Sequence, residues 1–535
     1  MLRCRQRCEE HSFHHGQAEV QTATQPPRPH VYDDAPGIPL DHWSRVFFRY
    51  IFCAFDDAQF ADLYVEGGRC PISPSLLAAI TILQYMFHAS DRVAVENTLM
   101  RRDWRLALGL APDYAGFDST VLVNFRKRLV AHGMERTIFE SVLQRIAELG
   151  LLKSRRVRVD STQLIANVAR LSRADALQEA LRKLVCVLHD ERPELRAQPE
   201  FQRLYQTYGE EIWIGRDPQT DDRLIALGIE GRLLLQLCGD YPTPARHILA
   251  QMLAENFIFS DEDEAASPQP LPREQLSSGR IITPHEPDAR GGKKAKKSWV
   301  GDKVHLVETA AEDGPNFCVD VVTTDARTDD SEMTQTLAER TRAVLPEVDT
   351  SIEDGGYASA ANTIALHQMG IDLVAPPVAN THRGFIANTE FAVDWDGRKA
   401  TCPAGRASVA WGVYRGKVCI RFAPTTCQAC PRRAECTRSR GGRTIHFGPN
   451  WQQLQRDRER AAQPEFQKLY HLRAPIEATI SQAVHQCELR RSRFRTAAKR
   501  ELHAIFAITA LNARRMLRHL TSPSDVTRVQ VCGAL

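Results

Sequence analysis

No stretch of the chain approaches the roughly 20 consecutive apolar residues that a membrane-crossing helix needs, which argues against a spanning protein. An apolar signal core is missing too, because the opening residues Cys4, Arg5, Gln6, Arg7 and Cys8 are largely polar, so the expected location is cytoplasmic. Charge of one sign is scarce overall: 69 Lys and Arg face 66 Asp and Glu, and a net +3 gives no global attraction to a polyanion. Cysteine is too sparse, at 14 in 535 residues, for a secreted disulfide framework. Its clustering points to metal instead. No internal repeat is present.

The composition, 43% hydrophobic and 25% charged, is that of an ordinary soluble chain, and the length calls for two or three folding units. Local charge is more telling than the total. Arg490, Arg491, Arg493, Arg495, Lys499 and Arg500 crowd one region, and Lys293, Lys294, Lys296 and Lys297 form a second cluster. Such patches neutralise phosphates, although each also reads as a solvated helix face or a flexible linker.

Residues 1–40, rich in His, Gln and Pro, are expected to be disordered, and 521–535 form a tail. A helical domain is expected over 41–152. Ser73-Pro74 supplies an N-cap and a first helical residue ahead of Leu76, Leu77, Ile80, Leu83 and Phe87 at helical spacing, with further helices near 91–102, 119–132 and 134–149. The helix near 119–132 carries Arg126 and Arg128, a basic surface suited to DNA. From 153 to 520 strands and helices alternate. Strands are expected at about 155–160, 303–308, 317–322, just before Asp354, and at 372–375, with helices at 331–344 and 359–369. Residues 165–298 interrupt this pattern with a helical insert followed by an acidic, then Pro/Ser-rich, then lysine-rich connector, read as mobile.

A second insert, 378–465, holds Cys402, the pair Cys427-x-x-Cys430, and Cys436. Two sulfurs separated by two residues can grip one tetrahedral Zn²⁺ from a tight turn, and two more thiolates close the shell. A closed four-sulfur site has no room for substrate, so this metal would be structural. Cys419, in the strand-like context Val418-Cys-Ile420, is a rival ligand that suits a buried position better.

Two carboxylates end apolar strand-like runs: Asp160 after Val157-Arg-Val, and Asp354 after Ser351-Ile-Glu. Strand alternation sends Glu353 to the face opposite Asp354. A third, Glu477, follows Tyr470 and Arg473 at spacings of seven and four residues, which on one helix would aim all three side chains into one neighbourhood. Oxygen ligands from two strand ends and a helix are what Mg²⁺ in phosphoryl transfer requires, with two ions roughly 4 Å apart clamping attacking and leaving oxygens. Taken singly, Asp160 and Asp354 also read as turn or cap residues, and Glu477 as a surface glutamate.

Together, Asp160-Ser-Thr, Asp354-Gly-Gly-Tyr357-Ala-Ser and Tyr470-x-x-Arg473-x-x-x-Glu477 resemble the three catalytic blocks of the DDE transposases of bacterial insertion sequences, in the IS-four-like superfamily with its Tyr-Arg-Glu signature. The likeness runs from about 70 to about 518. It implies an α/β fold: a ribonuclease-H-like mixed-sheet catalytic core, a helical N-terminal domain that binds DNA ends, and a cysteine-bearing insertion. It further implies catalytic Mg²⁺ or Mn²⁺ on Asp160, Asp354 and Glu477, structural Zn²⁺, and double-stranded DNA as partner, as terminal inverted repeats and as target. Phosphate contacts would come from Tyr470, Arg473, Arg490 and Arg491, within a homodimer on DNA and a nucleoid-associated location. Where the family often has lysine, seven residues after the glutamate, stands Val484, and His485 or Arg490 is the candidate substitute. In some relatives an insert tryptophan stacks on a flipped base; Trp411 is the counterpart here, although a packed indole explains it equally. A transposon-derived DNA-binding protein without catalysis and a ribonuclease-H-like nuclease are the alternative functions.

Overall fold

The computed structural model describes residues 37–64, 72–111, 113–168, 171–210, 220–260, 266–294, 297–378 and 384–521. The expectations for 1–36 and for 522–535 lie outside the described residues. The chain forms two compact units: residues 1–153, 160–328 and 476–535 make the first, and 154–159 with 329–475 make the second.

In the first unit, helices Trp43–Tyr50, Pro74–Met86, Asp91–Met100, Arg102–Ala107, Thr120–Ala131 and Thr137–Glu148 follow one another. The Ser73 hydroxyl accepts the Leu76 N–H at 3.3 Å and Pro74 takes the first helical position, as the sequence predicts. Every residue of Pro74–Met86 is buried. A helix buried all round lies inside a core rather than on one, and part of its cover comes from the far end of the chain, the helix Ala497–Leu520. Tyr85 Oη meets His503 Nδ1 at 2.9 Å and its ring packs edge-on against Phe506. The expected 41–152 domain therefore shares its core with the C-terminal helix instead of closing one alone.

Strand β1 runs Arg156–Ile165, and its last six residues belong to this unit, as do β2 (Arg290–Lys294), β3 (Lys297–Thr309) and β4 (Cys318–Asp325). β2, β3 and β4 pair antiparallel in that order, with a register shift at Val307/Glu308. Asn512, on the C-terminal helix, satisfies both backbone groups at the start of β4: its Oδ1 accepts the Cys318 N–H at 2.9 Å and its Nδ2 donates to Cys318 O at 2.7 Å. The insert after β1 builds its own apolar core, including Leu177, Leu181, Leu184, Phe201, Leu204 and Leu234.

Part of the described connector is packed. Ile281, Thr283 and Ala289 are buried, and Glu286 and Asp302 both pair with the fully buried Arg500. A buried guanidinium needs such partners to offset its lost hydration. Lys293 and Lys297 fall on paired strands rather than in a linker.

In the second unit, residues 156–159 of β1 pair in parallel with β5 (Thr350–Glu353), and β5 pairs in parallel with β6 (Asp372–Val374). Helices Asp330–Val344 and Ala360–Gln368 make the connections. The chain pairs strands both in parallel and antiparallel, and the fold class is α/β with a mixed sheet and a ribonuclease-H-like core. The cysteine insert adds a two-stranded ribbon, β7 (Ala392–Asp394) with β8 (Lys399–Thr401), and a three-stranded antiparallel sheet, β9 (Ala410–Tyr414), β10 (Lys417–Arg421) and β11 (Thr444–Phe447). Ile420, Ile445 and Phe447 fill the core of this sheet with Phe391 and Phe422.

Candidate active site

In the second unit, β1 and β5 lie in register, Val157 opposite Ser351 and Val159 opposite Glu353. Asp160 and Asp354 are the next residues in sequence after Val159 and Glu353. β5 ends at Glu353, so Asp354 opens the turn into Gly355, whose N–H its Oδ1 accepts at 2.6 Å. Glu353 points inward, buried and bonded by the Ser351 hydroxyl at 2.6 Å, and burial pushes its carboxyl up to about 7. Asp354 keeps 42% of its side chain exposed, with the Arg473 guanidinium 3.9 Å from its Oδ2.

Tyr470, Arg473 and Glu477 do not share one helix. Tyr470 sits near the end of Pro464–His471, Arg473 in the turn Leu472–Ala474, and Glu477 in the first turn of Pro475–Gln486. Pro475 causes the break: it lacks an N–H and disfavours helix at the residue before it, while its fixed φ suits a new first turn. The turn is held from β1, where buried Arg158 donates to Leu472 O at 3.2 Å. Tyr470 lies parallel to Phe466, with ring centroids 6.1 Å apart.

In the first unit, Asp160 is buried and accepts the Ser161 N–H at 2.7 Å. It lies within β1 rather than at its end, because the strand continues to Ile165. Glu477 is exposed, at a helix start that favours a carboxylate. Two residues on, the Thr479 hydroxyl donates to buried Glu308 at 2.7 Å, and Arg515 bonds Glu308, Thr479 and Gln482 together. This brace beneath the Glu477 helix was not anticipated. Its one sequence signal is a glutamate ending the apolar run of β3.

Several expected DNA contacts are committed elsewhere. Arg126 is buried, forked onto Asp91 at 2.9 Å for one bond, and lies over the Phe494 ring. Arg490 donates to Gln163 O at 2.8 Å, and Arg493 pairs with Glu488. Arg128 and Arg491 are exposed, Arg128 over the Tyr64 ring. Val484 is half-buried and His485 exposed.

Cys402, Cys427, Cys430 and Cys436 line one cavity of about 30 Å³. Backbone N–H groups of Arg406 and Arg443 lie 3.4 Å from the Cys402 and Cys427 sulfurs. Burial pushes the Cys436 thiol up, and the other three sulfurs add to that. An all-sulfur donor set with N–H groups aimed at sulfur fits Zn²⁺. Oxygen donors alone, as on Asp160, Asp354 and Glu477, fit Mg²⁺. As the side chains stand, no three His, Cys, Asp or Glu among the described residues meet in a metal-holding arrangement. Cys419 lies outside the cavity, its sulfur 3.0 Å from His446 Nδ1, and it is half-buried rather than buried. Trp411 packs edge-on against Trp395 at 5.5 Å, so its indole serves the insert core.

Residues 401–517 match the family model described as Transposase DDE domain, and residues 36–128 match Transposase domain (DUF772). The first match spans all four insert cysteines, Tyr470, Arg473 and Glu477; the second covers most of the N-terminal helices. β1 and β5 lie outside both. No curated protein and no solved structure matches the chain. Two transposase-domain matches, one near each end of the described chain, support a DDE transposase, a class that implies DNA binding and divalent-metal catalysis. No helix among the described residues is long and apolar enough to cross a membrane.

Proposed function

We propose that this protein is a transposase of the IS-four-like branch that binds the terminal inverted repeats of its element and carries out metal-dependent cleavage and strand transfer. The observation that carries this reading is the parallel register of β1 and β5, which leads directly into Asp160 and Asp354, together with the Arg473 guanidinium beside Asp354. Asp160, Asp354 and Glu477 are assigned as ligands of Mg²⁺ or Mn²⁺. When bound, such an ion polarises the attacked phosphate and makes water, then a 3′-hydroxyl, a competent nucleophile. Arg473 is assigned to a phosphate near the cut, which its planar fork can grip with two bonds. Tyr470 orients the same backbone. The four insert thiols are assigned to structural Zn²⁺, the helices of 41–152 to end recognition, and two copies of the chain to the DNA complex, acting at the nucleoid.

The test is incubation of the purified chain with duplexes carrying the flanking inverted repeats and Mg²⁺. End-specific nicking that vanishes with EDTA and with Asp354→Asn supports the reading; cleavage surviving Asp354→Asn refutes the assignment. A second reading, DNA binding without catalysis, draws on Val484 at the position where the resemblance calls for lysine. End binding by wild type without cleavage at any Mg²⁺ or Mn²⁺ concentration would favour it.

A further inference from the structure

Charge in this chain is concentrated where the motifs did not point. From Arg398 to Phe447 there are eleven Lys and Arg and a single acidic residue, Glu435, although the whole chain nets only +3. The remainder is therefore net acidic. Glu435 is already taken by Arg432. Arg398, Lys399, Arg406, Arg415, Lys417 and Arg421 are exposed, and none makes an ion pair among the described residues. A solvated face ordinarily mixes signs; one sign concentrated in a small subdomain repels itself and is stabilised by a polyanion.

Register decides which of these charges share a face. Trp411, Ile420 and Ile445 pair across β9, β10 and β11, and Val413, Val418 and Phe447 form the next row, in which Val418 and Phe447 belong to the insert core. The intervening rows, Ala410–Arg421–Thr444, Gly412–Cys419–His446 and Tyr414–Lys417, therefore point the other way. That outer face has basic side chains at its ends and small residues at the middle of its edge strand. A Cβ added at Gly412 would meet nothing within 4 Å, so the backbone there is open to approach. The hairpin ends in a tight turn, Arg415-Gly416, with φ of 49° and 72°, the conformation that suits a two-residue connection. Tyr414, 65% exposed, and the exposed Lys417 flank it.

We propose that the outer face and tip of this β9–β10 hairpin form a docking surface for the sugar–phosphate backbone of duplex DNA, separate from the carboxylate centre. The proposal rests on reading the chain as a DNA-handling protein and assigns a surface that the motifs did not. Arg415, Lys417 and Arg421 contact phosphates without reading sequence, and Tyr414 offers an aromatic ring to the groove edge.

The experiment uses the full chain and fluorescence anisotropy with two labelled duplexes, one random and one carrying the inverted repeat, across a NaCl series. Wild type is compared with R415Q/K417Q/R421Q, with Tyr414→Ser, and with R196Q/R203Q on the helical insert as control. The triple variant should reduce the slope of log affinity against log salt by about 2 to 3 on both duplexes, since each phosphate contact contributes about 0.9. Tyr414→Ser should weaken binding several-fold at unchanged slope, and the control should match wild type. A triple variant with the wild-type slope overturns the proposal, as does equal loss in the control. A triple variant that loses binding to poly-glutamate but not to DNA also overturns it, in favour of an acidic protein partner. Failure of wild type to prefer the inverted repeat would count against the transposase reading alone, because the slope comparison on random duplex is unaffected.

Discussion

The Arg473 guanidinium stands 3.9 Å from the Asp354 carboxylate, on a turn pinned to β1 by Arg158. At that separation the pair is a loose ionic contact, able to open for a phosphate. Arg473→Lys keeps the charge but loses the fork, so end cleavage should fall by at least tenfold while melting temperature changes little. A lysine variant with full activity would remove the bidentate role.

Glu477 is exposed in the first turn of its helix. If Glu477 is a metal ligand as proposed, Glu477→Gln should abolish Mg²⁺-dependent cleavage of end-bearing DNA and leave gel-shift binding within about threefold, because the substitution removes that ligand and no phosphate contact. Joint loss of both activities with an intact fold would show that binding and chemistry are not separable.

His503 is held neutral. Its Nε2 donates to Glu488 O at 3.1 Å, while Nδ1 faces the Tyr85 hydroxyl at 2.9 Å and the Arg493 N–H, leaving a second ring proton poorly placed. Burial lowers its pKa from 6.5 to about 4. A folded-state value below the unfolded one means that the unfolded chain binds the extra proton, so this contribution is intact above about 6.5 and is lost as pH falls toward 4. The loss should reach about 3 kcal/mol at the low end. Denaturant midpoints at pH 7.5 and pH 4.5 should differ less in His503→Gln than in wild type; equal differences would contradict the buried neutral imidazole.

Arg500 sits fully buried between Glu286 and Asp302. Arg500→Met should cost about 3–5 kcal/mol, because two carboxylates are left without their cation. Urea unfolding of the full chain measures it, and a loss under 1 kcal/mol would mean that water reaches the cluster.

Zinc content checks the cysteine cavity. Metal analysis of chain purified without chelator should give about one zinc per chain, and Cys430→Ser should lower both zinc content and the melting temperature of the insert. Equal zinc in wild type and variant would exclude the four-thiolate site.

Much of the sheet was legible because apolar runs such as Val304–Val307 and Val319–Val322 are short and bounded, and because Ser73-Pro74 is a local helix signal. The register that sets Val159 opposite Glu353 was not read from the sequence, which offered only two apolar runs followed by aspartate. Pro475 was equally visible, yet the Tyr-Arg-Glu spacing was read through it as one helix, and local proline chemistry prevailed over that spacing. The basic run after Glu477 was misleading for a different reason: Arg500 takes its acids from 198 and 214 residues away, a pairing that no window of sequence contains. The Glu308–Thr479–Arg515 brace escaped notice on the same ground, its partners lying 171 and 207 residues from Glu308.

The C-terminal helix also fixes the order in which the molecule can be made. Tyr85, Asp302, Glu286 and the backbone of Cys318 all wait for residues between Ala497 and Asn512, which leave the ribosome after nearly everything they must pair with. At about 5–20 residues per second, a nascent chain spends tens of seconds with the apolar surface of Pro74–Met86 lacking its last cover. A message cut short before Ala497 therefore yields a chain that bears Glu477 but cannot complete the first unit, and that is a target for chaperones and proteases rather than a smaller folded protein.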